Sequence, residues 1–379
     1  MLDEERLHRA LIGAPRSRAQ LNTPVLVLDR DALGRNLTKM AELARQRGVA
    51  LRPHAKTHKS VDIARRQLAH GAVGICCAKL GEAEVFAAAN VQSILITSPV
   101  VTPQAIARLA RLNAQLEQLI VVVDHPDNAA ALAQAVGSRR LQVLIDVDPG
   151  IRRTGVVTPE AALALWREIQ GLPALQYRGV QYYCGLQQHV AAYEERRAAI
   201  AERTAYLQGV IALLTEHAGK PEIISGSGTG THQIDAELGV FTEWQVGSYA
   251  FMDRQYADCQ LESTPGQAFE FSLFVETSVV SANTSGIATC DAGFKALATD
   301  GGAPVIVAGA PEGATYHFMG DEHGLVVDAP LKHVWQLGDG LRLAVPHCDP
   351  TVNLYDAYHV VSGDVLVDIW PVSARGRSR

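Results

Sequence analysis

Short apolar runs rich in Val, Ile and Leu recur through the first two-thirds of the chain, and most segments between them carry apolar residues at helical spacing. The runs at 49–56, 74–79, 93–97, 119–124, 141–148, 176–184, 222–226 and 244–251 predict strands. The segments 81–89, 103–112 and 159–170 predict helices, and 191–217 predicts one long helix. Strands that are apolar almost throughout are covered on both faces, as in a parallel sheet flanked by helices. A count of eight strands favours a closed (β/α)8 TIM-type barrel over an open sheet. After residue 260 the helical period fades. Strand-like runs at 269–281, 305–307, 324–327 and 360–368 follow, separated by Gly and Pro. The expected architecture is an α/β barrel with a C-terminal all-β domain. A strand-like run at 24–28 is grouped with the barrel. The predicted division is therefore a barrel over 24–260 and a β-rich domain built from 1–23 and 261–379.

Composition narrows the function classes. Hydrophobic residues are 47% of the 379 residues, enough for sizeable cores, and the net charge is −6 with no basic stripe of the kind nucleic acids select. The basic tail, Arg375, Arg377 and Arg379, reads as a solvated end. No apolar run reaches transmembrane length, so no membrane partner is expected. The start of the chain lacks the apolar stretch of a signal peptide. Six cysteines without regular spacing suit a reduced, cytoplasmic protein.

The first barrel strand ends in Arg-Pro-His-Ala-Lys. Side chains alternate along a strand, so Arg52, His54 and Lys56 share the interior face. Lys56 falls at the C-terminal end, where barrels place their chemistry. A desolvated lysine there can form a Schiff base, although a structural ion pair suits that position equally. Lys59, past the strand end, reads as a solvated or supporting group. The run Ser225–Gly230, Ser-Gly-Ser-Gly-Thr-Gly, follows the seventh strand, and Gly247-Ser248-Tyr249 closes the eighth. Loops after these two strands form the usual phosphate site of such barrels. Lysine and phosphate cradle are then neighbours across the barrel closure, which suits a cofactor with an aldehyde at one end and a phosphate at the other.

Four motifs, Pro-His-Ala-Lys-Thr-His-Lys (53–59), Gly-Ser-Gly-Thr-Gly (226–230), Val-Gly-Ser-Tyr-Ala-Phe-Met-Asp (246–253) and Pro-His-Cys-Asp-Pro-Thr-Val-Asn-Leu-Tyr-Asp (346–356), together resemble D-threonine aldolases. That family stands beside the D-serine dehydratases in the alanine-racemase-like group, and the resemblance runs from about residue 21 to 379. It implies a pyridoxal-phosphate barrel with a β-domain, assembled as a head-to-tail homodimer. Lys56 would carry the cofactor. Ser227, Gly228, Thr229, Gly230, Gly247, Ser248 and Tyr249 would bind it. Arg153 would approach its phenolic oxygen, and Tyr183 would stand in the active site. Gln245 falls where racemases have an arginine, and a neutral group there would leave the pyridine nitrogen less protonated. Read alone, Arg153 could equally be a surface residue and Tyr183 a core one.

His347 and Asp349 are two residues apart, and in an extended segment they would point the same way, with Cys348 opposite. An imidazole and a carboxylate can chelate one divalent ion. The hard oxygen suits Mn²⁺ or Mg²⁺, and the pair also accepts Co²⁺ or Zn²⁺. Cys348 as the ligand stays open, since the related dehydratases carry His-x-Cys. Asp321 and His323 are either supporting groups or loop charges. The reaction this implies is aldol cleavage of a small D-3-hydroxy amino acid to glycine and an aldehyde. The metal would acidify the 3-hydroxyl, and His189 would take its proton. Two alternatives remain: a dehydratase yielding a 2-oxo acid and ammonia, and a non-catalytic pyridoxal-phosphate-binding barrel.

Overall fold

The computed structural model describes residues 3–264, 266 and 268–379. Strand β1 (Val25–Asp29) leads into helix Arg30–Arg47, whose first turn is capped by the Asp29 carboxylate accepting from the Asp31 and Ala32 N–H groups. The next strands form one parallel sheet: β2 (Ala50–Leu51), β3 (Ile75–Cys77), β4 (Ser93–Ile96), β5 (Gln118–Val123), β6 (Leu141–Asp146), β7 (Leu175–Tyr182), β8 (Ile223–Gly226) and β9 (Glu243–Trp244). Their order is β2-β9-β8-β7-β6-β5-β4-β3. The two ends meet at a parallel bridge between His54 and Cys76, which closes a TIM-type barrel. Pro53 has no N–H to extend the β2–β3 ladder, but its carbonyl accepts from Cys76 N at 2.8 Å. On the other side the β2–β9 ladder continues, with Arg52 N donating to Trp244 O and His54 N to Val246 O, each at 3.0 Å.

Helices Leu80–Ala88, Pro103–Gln115, Pro126–Ala135, Pro159–Gln170 and Tyr193–Ala218 cover the barrel. Three of them start with proline behind a capping side chain, Thr102, His125 or Thr158. Inside the barrel, Cys76, Leu95, Ile120, Val122 and Leu144 form a fully buried apolar cluster. Arg52 is buried with Glu243 at 2.9 Å, Ser93 at 2.7 Å and Gln118 at 3.3 Å.

The remaining strands are β10 (Leu273–Thr284), β11 (Ile287–Cys290), β12 (Val305–Ala308), β13 (Thr315–Phe318), β14 (Gly324–Val327), β15 (Gly340–Ala344), β16 (Ala357–Ser362) and β17 (Val365–Pro371). They build a second sheet in the order β13-β14-β11-β10-β1-β16-β17, with β15 pairing β10 and β12. Strand β1 is antiparallel to β10 and parallel to β16. The run at 24–28 thus belongs to this sheet, not to the barrel as the sequence suggested. Its misleading pattern has a physical cause. Leu26 and Leu28 enter the large core, while Val25 and Val27 enter a small cluster with Leu21, Val361 and Leu366, so both faces are dry. The run 360–368 is two strands, broken by a turn at Gly363, where φ is 58°. The N-terminal segment is helical at Asp3–His8 but lies against the second sheet, Gly13 N donating to Leu366 O at 2.8 Å. Met1, Leu2, Pro265 and Gln267, which the predicted β-rich domain includes, lie outside the described residues. One apolar core runs from the barrel into the second sheet, so the two share an interior. Among the described residues no helix is long and apolar enough to cross a membrane.

Candidate active site

The chain turns immediately after His54, and Lys56 lies in that turn rather than on the strand. Alternation still holds: Arg52 points into the barrel floor, His54 into its upper half and Lys56 into the mouth. Lys56 Nζ donates to Asp349 Oδ2, a carboxylate delivered by the second domain. The Lys56 side chain keeps 40% of its surface exposed, and that of Asp349 keeps 15%. Burial pulls the lysine's pKa down, but the charge of Asp349, with Tyr183 and the hydrogen bond, outweighs it and holds the ammonium above its ordinary value. Burial pushes Asp349 up, and the charges of Lys56 and His347 overcome it, so the carboxylate sits below its usual range. Both partners are therefore ionised. Lys59, expected to be a solvated or supporting group, is not solvated: it is 5% exposed and bonded to Glu82 at 2.5 Å.

A cavity of about 450 Å³ opens beside Lys56. Of the residues expected to bind cofactor, it gathers Lys56, Arg153, Tyr183, Gly228, Thr229, Gln245, Gly247 and Ser248. Its size suits a small cofactor with substrate. The N–H groups of Gly228, Thr229, Gly247 and Ser248 donate to no protein acceptor among the described residues. A Cβ on Gly247 would meet Thr57 Oγ1 at 2.6 Å, so glycine keeps this wall thin. Thr229 Oγ1 accepts from Tyr249 N at 2.9 Å, which leaves the hydroxyl proton to donate. These unspent donors fit a phosphate. Three expected members do not line the cavity. The Gly230 N–H is taken by Gln188 Oε1 at 2.9 Å. The Tyr249 side chain is buried, its hydroxyl accepting from Gln67. Ser227, at a left-handed φ of 70°, is buried, and its hydroxyl has no hydrogen-bond partner among the described residues.

Arg153 is aimed by the loop after β6. The Asp148 carboxylate accepts the N–H groups of Gly150, Ile151 and Arg152 at 2.9–3.1 Å, which wraps the loop tightly. The Arg153 guanidinium then lies over the Tyr183 ring, 5.6 Å from its centre. Gln245 is oriented from inside the barrel. Gln181 Nε2 donates to the Thr97 carbonyl at 3.1 Å and to Asp146, so its oxygen must accept from Gln245 Nε2 at 3.2 Å. Gln245 Nε2 also donates to Ser225 Oγ at 2.9 Å. Both amide hydrogens are spent, and the atom left is a carbonyl oxygen. Gln245 as a group leaving a ring nitrogen less protonated loses its support, because an oxygen acceptor favours the protonated form.

His347 is extended (φ −145°, ψ 123°), but the chain turns helical at once, over Cys348–Val352. The extended geometry expected for the His-x-Asp pair is thus replaced by a helix start. Cys348 does not face away as expected: it is fully buried, its N–H donates to Asp253 at 3.0 Å, and its thiol donates to Asp349 Oδ1 at 3.5 Å, while burial with Asp253 and Asp349 pushes its pKa up. His347 Nδ1 bonds Asp300 Oδ2 at 2.7 Å, which leaves Nε2 for a ligand. An ionised carboxylate and an oriented imidazole fit a divalent ion in kind. Among the described residues, no cluster of three His, Cys, Asp or Glu side chains suited to a metal ion forms, so any ion here would draw its other ligands from water or substrate. Asp321 and His323 are exposed in the turn before β14 and read as loop charges. His189 is also exposed, its ring 4.4 Å from that of Tyr256, a residue lining the cavity. Partial desolvation of the ring, with the charges of His347, Arg196 and Lys56, lowers its pKa. Sequence reasoning missed Thr97, Thr154, Gln181 and Tyr256 in the cavity wall, and Asp300 beside His347. His54 alone had a signal, the alternation with Lys56.

Two family models cover most of the chain: the alanine racemase N-terminal domain matches residues 28–255, and the putative serine dehydratase domain matches 272–361. The D-threonine aldolase of Arthrobacter sp. is 42% identical over 95% of this chain and 94% of its own length. The chain belongs to that family. Its fold is alanine-racemase-like, and its family is a pyridoxal-phosphate-dependent one of aldolases, which are lyases. The 3-hydroxy-D-aspartate aldolase of Paracoccus denitrificans (strain Pd 1222) is 37% identical over 95% of this chain and 93% of its own. The crystal structure of D-threonine aldolase from Filomicrobium marinum superposes with a TM-score of 0.90 at 37% identity, covering 95% of this chain and 97% of that one.

Proposed function

We propose that this aldolase cleaves D-threonine and related D-3-hydroxy amino acids to glycine and an aldehyde, with pyridoxal phosphate on Lys56 and a divalent ion at His347 and Asp349. One observation carries the reading: Lys56 in the barrel touches Asp349 in the second domain, which joins the cofactor cavity to the His-x-Asp pair. Lys56 would hold the cofactor through Nζ, while Thr229 and the N–H groups of Gly228, Gly247 and Ser248 would hold its phosphate. Arg153 and Tyr183 would line its flank. The cofactor supplies an electron sink for the carbon–carbon bond that breaks. The ion, Mn²⁺ by preference with Mg²⁺, Co²⁺ or Zn²⁺ accepted, supplies Lewis acidity at the 3-oxygen. His189 takes the hydroxyl proton, a role its lowered pKa supports by keeping the ring unprotonated at neutral pH.

Six free and buried cysteines support a reducing, cytoplasmic setting. Exposed Val157 and Leu186, on the loops that carry Arg153 and His189, support a second copy covering this mouth, hence a homodimer. The match to a serine dehydratase domain keeps dehydration as the second reading. The test is product analysis of D-threonine incubated with the purified protein, pyridoxal phosphate and Mn²⁺. Acetaldehyde with glycine is expected, and a chelator should stop their release without bleaching the bound cofactor. Formation of 2-oxobutanoate and ammonia would establish the dehydratase, and no turnover of any 3-hydroxy amino acid would favour a binding protein.

A further inference from the structure

We infer that Asp300 is a positioning residue for the metal: it orients His347 so that the ring presents Nε2 as a ligand. The inference deepens the metal reading above and rests on it. Asp300 lies in the loop between β11 and β12, 47 residues before His347 in the chain, and nothing in the sequence connects them. Its Oδ2 is 2.7 Å from His347 Nδ1. An exposed aspartate beside a histidine is ordinarily a solvated pair of little consequence, and the Asp300 side chain is 57% exposed against 25% for His347.

The loop that presents it argues otherwise. The Ala298 N–H donates to Thr351 Oγ1 at 3.1 Å, and the Thr351 hydroxyl donates to the His347 carbonyl at 2.7 Å. The Tyr355 hydroxyl donates to the Ala296 carbonyl at 2.8 Å. On the other side of Asp300, a Cβ on Gly301 would stand 2.8 Å from the Pro346 carbonyl, so only glycine lets the loop lie this close. The loop is thus hydrogen-bonded before Asp300, and closely packed after it, to the helix start that carries His347 and Asp349. The backbone of Asp300 is held beside the ring that its carboxylate meets.

The chemical consequence follows from the two ring nitrogens. A carboxylate on Nδ1 makes that nitrogen the donor, so Nε2 holds the lone pair. The negative charge also raises the basicity of the ligating nitrogen. Such outer carboxylates typically set metal affinity by about 10- to 100-fold. With only two protein ligands in the proposed site, little else would hold the imidazole in register.

The experiment titrates Mn²⁺ into cofactor-loaded, metal-stripped full-length protein by calorimetry. Wild type is compared with Asp300→Ala, Asp300→Asn, His347→Ala and Asp349→Ala, and the visible band of the bound cofactor reports an intact fold. Asp300→Ala should bind Mn²⁺ about 10- to 100-fold more weakly with an unchanged band. Asp300→Asn, which can still accept from Nδ1 without the charge, should fall between. Should Asp300→Ala lose the band, the Asn variant decides: intermediate affinity supports the role, and wild-type affinity overturns it. Wild-type affinity in both Asp300 variants, with binding lost in His347→Ala, would overturn this inference and leave the metal pair standing. Wild-type affinity in His347→Ala and Asp349→Ala would remove the metal reading itself, and the inference with it.

Discussion

Arg52 and Lys56 stand four residues apart on one side of one strand and its turn, and each meets a carboxylate. The Arg52–Glu243 pair is sealed, with side chains 3% and 5% exposed. The Lys56–Asp349 pair keeps 40% of the lysine open to the cavity. Arg52 joins two barrel strands, β2 and β9, and further hydrogen bonds to Ser93 and Gln118 satisfy its guanidinium. Lys56 reaches across to the other domain and has one partner that a ligand could replace. The same residue class in the same strand register thus serves cohesion at the barrel floor and chemistry at its mouth. The difference is access: a charge can act on a substrate only where its partner is exchangeable and its surface is reachable.

The sharpest way to break the comparison is at Lys56. Lys56→Ala should abolish both the visible absorbance of bound cofactor and turnover, while the protein still folds. Lys59→Ala should keep the absorbance, because Lys59 is sealed against Glu82. A band that survives in Lys56→Ala and vanishes in Lys59→Ala, read by absorption spectroscopy, would reverse the assignment. Arg52→Ala should show the opposite signature. It strands Glu243 in the interior and should cost about 3–5 kcal/mol of stability in urea or thermal unfolding. A loss confined to activity would contradict the structural role. The smallest effect tests the far end of the cavity. Thr229→Val should weaken cofactor retention roughly tenfold, about 1.4 kcal/mol, and Ser227→Ala by less, since Ser227 does not line the cavity. Equal retention in both variants, measured by dialysis against buffer, would remove Thr229 from the phosphate cradle.

The barrel was legible because its strands are dry on both faces and its helices carry plain start signals, such as Thr158-Pro159. The same criterion failed at β1, whose two dry faces come from two different clusters of the second domain. It failed again over 360–368, where a hairpin turn needs only Gly363 and leaves the apolar texture almost unbroken. In the site, alternation alone led from Arg52 to Lys56. The loops after β8 and β9 were legible as a cradle, but not which of their N–H groups remain unspent. Gly230 gives its hydrogen to Gln188, and Tyr249 gives its own to Thr229, partners that only the fold brings near. Asp300 was invisible for the same reason.

The placement of β1 bears on how the chain is made. Residue 27 leaves the ribosome early, yet one of its ladder partners is His359 and the other is Phe274. The barrel segments can pack as they emerge, since their neighbours in the sheet are mostly neighbours in sequence. Strand β1 must wait with both edges bare until β10 is made, and with one edge bare until β16 follows near the end of the chain. Bare edges of an apolar strand invite pairing with other chains. A nascent protein stalled before β16 would carry that hazard for as long as the stall lasts, which makes the speed of translation over the last stretch, and any chaperone that shields the first, part of what determines yield.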